Sequence, residues 1–419
     1  MASANVYASI ITIGDELLIG QTIDTNSAWM AQELNKIGIW VHRRVAIGDV
    51  WEDIWKALDD ESRLSEIILI TGGLGPTADD ITKPLLCQYF GGKLVVNEDA
   101  LNNVKNIFLN ILKRPMIERN LKQAEVPDVC TVIQNRRGTA PGMLFEKDGK
   151  VFVSMPGVPH EMKGMMINHV LPALQEKFQM PPIIHRTLLT AGIGESFLAE
   201  RISDFESTLP SNIKLAYLPN YGMVKLRLSA RGRSEKLRAE LEAEFDMLKQ
   251  KVSDVMVIDE DLTMQQVVGN LLKEKGKTVG TAESCTGGYI AHLFTANPGS
   301  SVYFKGSVVS YANTVKTDIL SVDPQTLKDH GAVSKETASQ MVKGALKMLK
   351  TDYVLVTTGI MGPDGGSPEK PVGTVWVGVG DGHRTELHEF HFRFDRQRNI
   401  ELTATNALNM LRKFILNPH

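Results

Sequence analysis

The sequence predicts an α/β protein of three domains: a doubly wound domain at the N-terminus, a small α+β domain in the middle and a second α/β domain at the C-terminus. Short apolar runs such as residues 7–13, 67–70 and 353–358 each end in a Gly- or Asp-bearing turn, and strand-type runs alternate with helix-type ones along the chain. Residues 224–230 instead alternate with period two, the mark of an antiparallel strand with one wet face. A length of 419 residues suits two or three domains. The expected boundaries are 1–174, 175–257 and 258–419.

In the first domain, residues 7–13 read as a strand that ends at Gly14-Asp15-Glu16. Asp24 or Thr25 would cap a helix carrying Ala28, Met30, Ala31 and Leu34. A second strand is expected at 40–47, ending at Gly48-Asp49, then a helix over 52–58. Residues 67–70 form a buried-type strand that runs into T-G-G-L-G-P-T-A-D-D-I-T, residues 71–82. Alternation of this kind builds a mostly parallel sheet, and such sheets bind ligands at the carboxyl ends of their strands. Three acid-bearing turns fall there: Asp15 with Glu16, Asp49, and Asp79 with Asp80. A Gly-rich loop beside carboxylates suits a phosphate held with a divalent cation. Asp and Gly are equally common as plain turn and cap residues. The loop is neither a Walker P-loop nor G-x-G-x-x-G.

A helix over 171–178 ends this domain. The middle segment reads as a strand at 185–190, a turn Gly192-Ile193-Gly194-Glu195, a short helix, the alternating strand and a long charged helix over 234–252. In the last domain, residues 259–261 (D-E-D) make a polar joint with no apolar residue to bury, so the two ends of the chain are expected to be separable there. A helix over 263–275 and a strand over 277–280 lead into T-A-E-S-C-T-G-G, residues 281–288. A helix follows from Tyr289. Further strands are expected at 308–313, 353–358 and 373–379, with helices over 336–349 and 399–415.

Ser284 therefore sits on a strand-to-helix turn, beside free backbone N–H groups and the positive end of a helix dipole. A nucleophilic hydroxyl there would have oxyanion or phosphate donors at hand. Ser284 and Thr286 serve equally well as helix caps, with Gly287 and Gly288 shaping the turn. A serine nucleophile needs a base. His292 falls inside a helix and His330 in a loop, which leaves a Ser–Lys arrangement. Lys316 is the candidate, with Tyr311 as relay or orienting donor; it works as a base only if burial lowers its pKa, and alone it reads as a surface lysine. Cys285 is a rival nucleophile.

Composition excludes several classes. At 43% hydrophobic and 23% charged, the chain is an ordinary globular protein. A net charge of −3 lacks the basic excess of a general nucleic-acid binder. Cys87, Cys130 and Cys285 have no metal-like spacing and cannot all pair, which fits a reducing cytoplasm. No signal peptide or membrane span is expected.

Five N-terminal motifs occur in order: G-D-E-L-L-I-G-Q-T-I-D-T-N-S, T-G-G-L-G-P-T-A-D-D-I-T, N-L-K-Q-A, G-T-A-P-G and P-G-V-P-H-E-M. Together with T-A-E-S-C-T-G-G downstream, they make the chain resemble the CinA family over nearly its whole length. The resemblance implies an N-terminal molybdopterin-binding-like domain, a KH-like middle domain and a C-terminal nicotinamide-mononucleotide deamidase domain. It implies two small-molecule substrates, nicotinamide mononucleotide and ADP-ribose, and a homodimer. The deamidase is expected to need no cofactor, and the N-terminal domain to use a divalent metal (Mg, Mn or Co). Y-A-N-x-x-K places Ser284, Tyr311, Lys316 and Thr358 on the family's catalytic set. Substrate contacts are expected from Thr286, Gly287, Gly288, Asn313, Gly365, Gly366, Arg396 and Arg398. In the N-terminal domain they are expected from Asp24, Asn26, Gly72, Gly73, Gly75 and Thr77, with Glu16, Asp49 and Asp80 as metal ligands. Arg396 is the first choice for a substrate phosphate and Arg398 the second, because Ile400 stands where the family's second arginine is expected. Met361 replaces an alanine of the family's A-G-P loop, which enlarges one wall. The middle segment reads G-I-G-E where a KH clamp needs G-x-x-G.

Overall fold

The computed structural model describes residues 6–77 and 80–417. The chain forms two compact units, Met1–Ile184 with Ala230–Arg238, and His185–Ser229 with Ala239–His419. No helix among the described residues is long and apolar enough to cross a membrane.

The first unit is built on a six-stranded sheet. Its order is Trp40–Ile47, Tyr7–Ile13, Ile67–Thr71, Lys150–Met155, Gly142–Lys147, Thr131–Ile133. The first four strands pair in parallel, and Gly142–Lys147 runs antiparallel between Lys150–Met155 and Thr131–Ile133. Successive side chains point to opposite faces. Ile10, Leu69 and Val153 therefore pack with Met30, Leu34 and Met162 on one side. Ile11, Ile68 and Phe152 pack with Ile54, Leu58 and Leu85 on the other. This is the doubly wound arrangement that the apolar runs require. Asp24 caps the helix Thr25–Lys36 by accepting the Ser27 N–H at 2.9 Å. The helix expected over 52–58 extends to Trp51–Leu64.

The second unit holds a four-stranded sheet in the order Ile213–Asn220, Met223–Arg231, Ile183–Ala191, Met256–Ile258. It also holds a five-stranded sheet in the order Phe304–Val309, Val279–Glu283, Tyr353–Gly359, Thr374–Gly380, Thr385–His391. Both faces of the latter are covered: Phe294, Leu408 and Phe414 pack on one side, Met341 and Val342 on the other.

Four features depart from the sequence reading. The strand expected at 277–280 runs on through Glu283, so Thr281, Ala282 and Glu283 belong to it and Ser284 is the first residue beyond. The strand expected at 308–313 is Phe304–Val309, which leaves Tyr311 in the following turn. The last helix starts at Arg396, not 399, because Asp395 caps it by accepting the Arg398 N–H at 3.0 Å. Finally, Ala191, Met223 and Val257 pack into the same apolar cluster as the C-terminal sheet. The polar joint at 259–261 thus does not separate two independent cores, because the burial happens through residues far from it in sequence.

Candidate active site

The turn after Val279–Glu283 is organised by Glu283. Its carboxylate is fully buried and accepts the N–H groups of Gly288, Ile290 and Ala291 at 3.1, 3.0 and 2.8 Å. It also accepts the Thr281 and Thr286 hydroxyls at 3.1 and 2.7 Å. A helix N-terminus is a natural place for a negative charge; here the chain supplies its own. Those donors are spent inside the fold and do not face a substrate. Gly287 and Gly288, at φ +60° and +96°, let the chain make the turn without a side-chain clash. Glu283 was not picked out from the sequence, and its place within the motif was the only signal.

Ser284 is held by its N–H, which donates to Thr357 O at 2.9 Å. Its hydroxyl accepts from Lys316 Nζ at 3.1 Å. Lys316 lies on the short helix Asn313–Asp318 and is only 1% exposed. Its ammonium also donates to the carbonyls of Ser310 at 2.7 Å and Tyr311 at 3.3 Å. Burial pushes its pKa below the ordinary lysine value, and the nearby Cys285 thiol opposes this more weakly. Cys285 is buried, and that burial pushes its thiol up to about 12. A thiol so far from ionisation is a poor nucleophile at neutral pH.

Ser284 and Lys316 open into a cavity of about 190 Å³. Cys285, Tyr311, Asn313, Thr358, Gly359, Met361, Arg396 and the Ala332-Val333 turn complete its wall. Thr358 donates its hydroxyl to Ala332 O at 2.7 Å and so fixes that turn. The Tyr311 side chain is 62% exposed, and its hydroxyl accepts from Arg396 Nη2 at 3.0 Å. Arg396 Nη1 donates to Gly362 O at 2.8 Å. Ala332 and Val333 were not singled out from the sequence, although G-A-V-S before a helix marks a turn.

Several expected contacts lie elsewhere. Thr286 is buried under Glu283 and Thr357. Gly287, Gly288, Gly365 and Gly366 are not among the residues lining the cavity. Arg398 stacks over Phe394 at 4.6 Å, outside it. Arg396 and Arg398 are two positions apart on one helix, about 200° around its axis, so they cannot face the same cavity.

In the first unit, Asn26, Gly72, Gly73 and Asp49 meet at the carboxyl ends of the parallel strands. Asn26 donates to Gly157 O at 2.7 Å, while its Oδ1 is buried with no hydrogen-bond partner among the described residues. Gly72 has φ +114°, and a Cβ there would run into Ile13 O. A Cβ on Gly73 would run into the Thr82 hydroxyl and approach the Asp49 carboxylate. Asp24 serves its helix cap. Asp80 accepts the N–H groups of Gly75 and Thr77 at 2.7 and 2.8 Å, and the Thr77 hydroxyl. Glu16 folds back toward Gly14. Ala78 and Asp79 fall outside the described residues. Among the described residues, no three His, Cys, Asp or Glu side chains group as metal ligands. Lys83, not singled out from the sequence, donates to Gln123 O at 3.1 Å. Burial lowers its pKa to about 8, against the opposing effect of Glu125 and Asp80.

Comparison with known proteins gives three family matches in the order of the folded segments. A probable molybdopterin binding domain matches residues 9–176, a damage-inducible protein CinA KH domain 185–255, and a CinA C-terminal domain 261–415. A CinA-like protein of Cytophaga hutchinsonii is 45% identical over 412 residues, covering 98% of each chain. One from Flavobacterium psychrophilum is 46% identical over 411 residues, again covering 98% of each. The solved structure of competence/damage inducible protein CihA from Agrobacterium tumefaciens is 37% identical. It covers 37% of this chain and 94% of that one, at a TM-score of 0.36. Three matched domains in order, and relatives this similar along nearly the whole length, mean that the chain belongs to the CinA family.

Proposed function

We propose that the second unit hydrolyses the carboxamide of nicotinamide mononucleotide to nicotinate mononucleotide and ammonia. The observation that carries this reading is the buried contact between Lys316 Nζ and Ser284 Oγ at 3.1 Å. In neutral form, Lys316 takes the Ser284 proton as Oγ attacks the carboxamide carbon. The tetrahedral intermediate collapses, the C–N bond breaks, and Lys316 returns the proton to the departing ammonia. Water then attacks the resulting ester, again giving its proton to Lys316, and releases the acid and Ser284. Because the Ser284 N–H is spent on Thr357 O, the oxyanion needs other donors. The Cys285 N–H, which pairs with no backbone carbonyl and leans only on its own thiol, is the nearest in sequence. Arg396 is the cation for the substrate phosphate.

The contact also favours this reading over a degenerate amidase serving as scaffold, because a lysine whose pKa is lowered by burial beside a hydroxyl is what a general base requires. The test is ammonia release from nicotinamide mononucleotide by the wild-type chain and by Ser284→Ala. Release from neither, or equal release from both, rejects it.

A second activity, cleavage of the ADP-ribose pyrophosphate, is proposed for the first unit. Its support is the pair Gly72-Gly73 beside Asp49 at the strand ends, where backbone can approach a phosphate. As they stand, Glu16, Asp49 and Asp80 do not form a ligand set, so no step is routed through a metal. Gly72→Ala is expected to abolish this cleavage and leave deamidation intact.

A further inference from the structure

A groove in the second unit runs between the hairpin of Ile213–Asn220 with Met223–Arg231 and the last helix, Arg396–Leu416. It has two lobes, of about 740 and 470 Å³, that share Tyr221 and Glu401 as a common wall. It is distinct from the Ser284 cavity, whose lining includes neither residue. The volume of each lobe is that of a small-molecule site, and such sites favour the seams between structural layers.

The chemistry of the wall is specific. Glu401 Oε1 accepts from Gln397 at 2.8 Å, and the buried Oε2 has only the neighbouring Tyr221 phenol to draw on. A buried carboxylate oxygen held by nothing stronger than a phenol calls for a positive group nearby. Two phenols flank that carboxylate. The hydrogen bond that Tyr221 makes to Glu401, and then the carboxylate charge, push its phenol up, and Tyr289 is raised first by burial and then by Glu401. Tyr221 occupies the hairpin tip at φ +38°, followed by Gly222 at +77°. A bulky aromatic in the left-handed region is uncommon in such a turn, where Asn or Gly costs less. The ring is held toward the last helix by its hydrogen bond to Glu401. On the same helix, Arg398 stands three residues before Glu401 and so lies on the same face. It is the only cationic side chain among the described residues that line the larger lobe.

We propose that this groove is a second binding site, for a pyridinium nucleotide, whose cationic ring rests against Tyr221, Tyr289 and Glu401 while its phosphate meets Arg398. Aromatic faces with a carboxylate attract a flat cation. A guanidinium one helical turn away supplies the anion partner. The demand for a cation joined to a phosphate comes from the groove alone. The choice of pyridinium rests on the reading of Ser284 above, since those compounds reach the neighbouring cavity.

The test counts sites by equilibrium dialysis on the full chain, with Ser284→Ala as background to stop turnover. Nicotinamide mononucleotide and nicotinamide adenine dinucleotide serve as separate probes to distinguish the mononucleotide from the dinucleotide. The expected result is that Glu401→Gln or Arg398→Ala removes one site per chain, or weakens it at least about tenfold, for one or both probes. A second measurement uses Tyr221→Trp at the exposed hairpin tip: pyridinium stacking should quench the new fluorescence. An unchanged site count in both groove variants, absence of quenching, or no binding of either probe overturns the proposal. If the wild-type chain releases no ammonia yet Glu401→Gln still loses a site, the deamidase reading fails and the groove stands. If ammonia release is normal and the site count is unchanged, the groove fails and the deamidase reading stands.

Discussion

Lys316 Nζ lies 3.1 Å from Ser284 Oγ and 2.7 Å from the Ser310 carbonyl. The carbonyl fixes where the amine sits, and the hydroxyl is what it can act upon. Burial disfavours the charged form, which makes an unprotonated amine accessible at lower pH than in a free lysine.

Ser284→Ala should lower ammonia release from nicotinamide mononucleotide at least about a thousandfold, the scale seen when a covalent nucleophile is removed. Cys285→Ala should keep most of the activity, since its thiol is pushed up to about 12 and is not ionised at neutral pH. Steady-state rates of the two variants decide this. Loss in Cys285→Ala with retention in Ser284→Ala would reverse the assignment.

The pH profile follows from the direction of the Lys316 shift. The base is the neutral amine, so kcat/KM should rise with pH and level off below the ordinary lysine value of about 10.4. The shift also has a sign for stability. Because the folded pKa is lowered, the unfolded chain binds more protons between the two values. Stability from this group is therefore lacking at low pH and is gained as pH rises through the folded pKa. Lys316→Met should lower turnover sharply at every pH and remove the rising limb of the residual rate.

Tyr311 accepts from Arg396 at 3.0 Å and is largely exposed, which suits an orienting role better than proton relay. Tyr311→Phe frees the guanidinium from one of its two anchors. The expected effect is a rise in KM of up to about tenfold, the worth of one hydrogen bond to a charged group at a partly exposed site, with kcat little changed. A large fall in kcat with constant KM would instead establish Tyr311 as a proton carrier.

Glu283 takes five hydrogen bonds in a fully buried position. Glu283→Ala leaves those donors unmatched and should destabilise the second unit by about 3 kcal/mol or more. Glu283→Gln, which keeps the shape and one acceptor oxygen, should cost less. Thermal unfolding of both variants, followed by a probe within the second unit, checks the order. Equal stability of the two would show that the carboxylate charge adds nothing to the turn.

The sequence by itself determined the run of strands and helices in both α/β domains, because apolar periodicity and turn residues act locally. It also placed Ser284 on a strand-to-helix turn, Asp24 at a helix cap and Asp49 at a strand end, for the same reason. The family resemblance named Lys316 and Tyr311. Only the tertiary structure decided that Lys316 is buried against Ser284, 32 residues away in sequence, and that Arg396 reaches Tyr311 across 85. It also decided that Arg398 turns away from the Ser284 cavity, since its direction depends on a helix starting at Arg396 and not three residues later. Local patterns could not show that Glu283 consumes the helix donors that a bare helix start leaves open to substrate, nor that Ala191, Met223 and Val257 join the C-terminal core. A hydrogen bond or an apolar contact between distant residues is set by how whole elements pack. That packing is a sum over many weak contacts, and no short stretch of the chain records it.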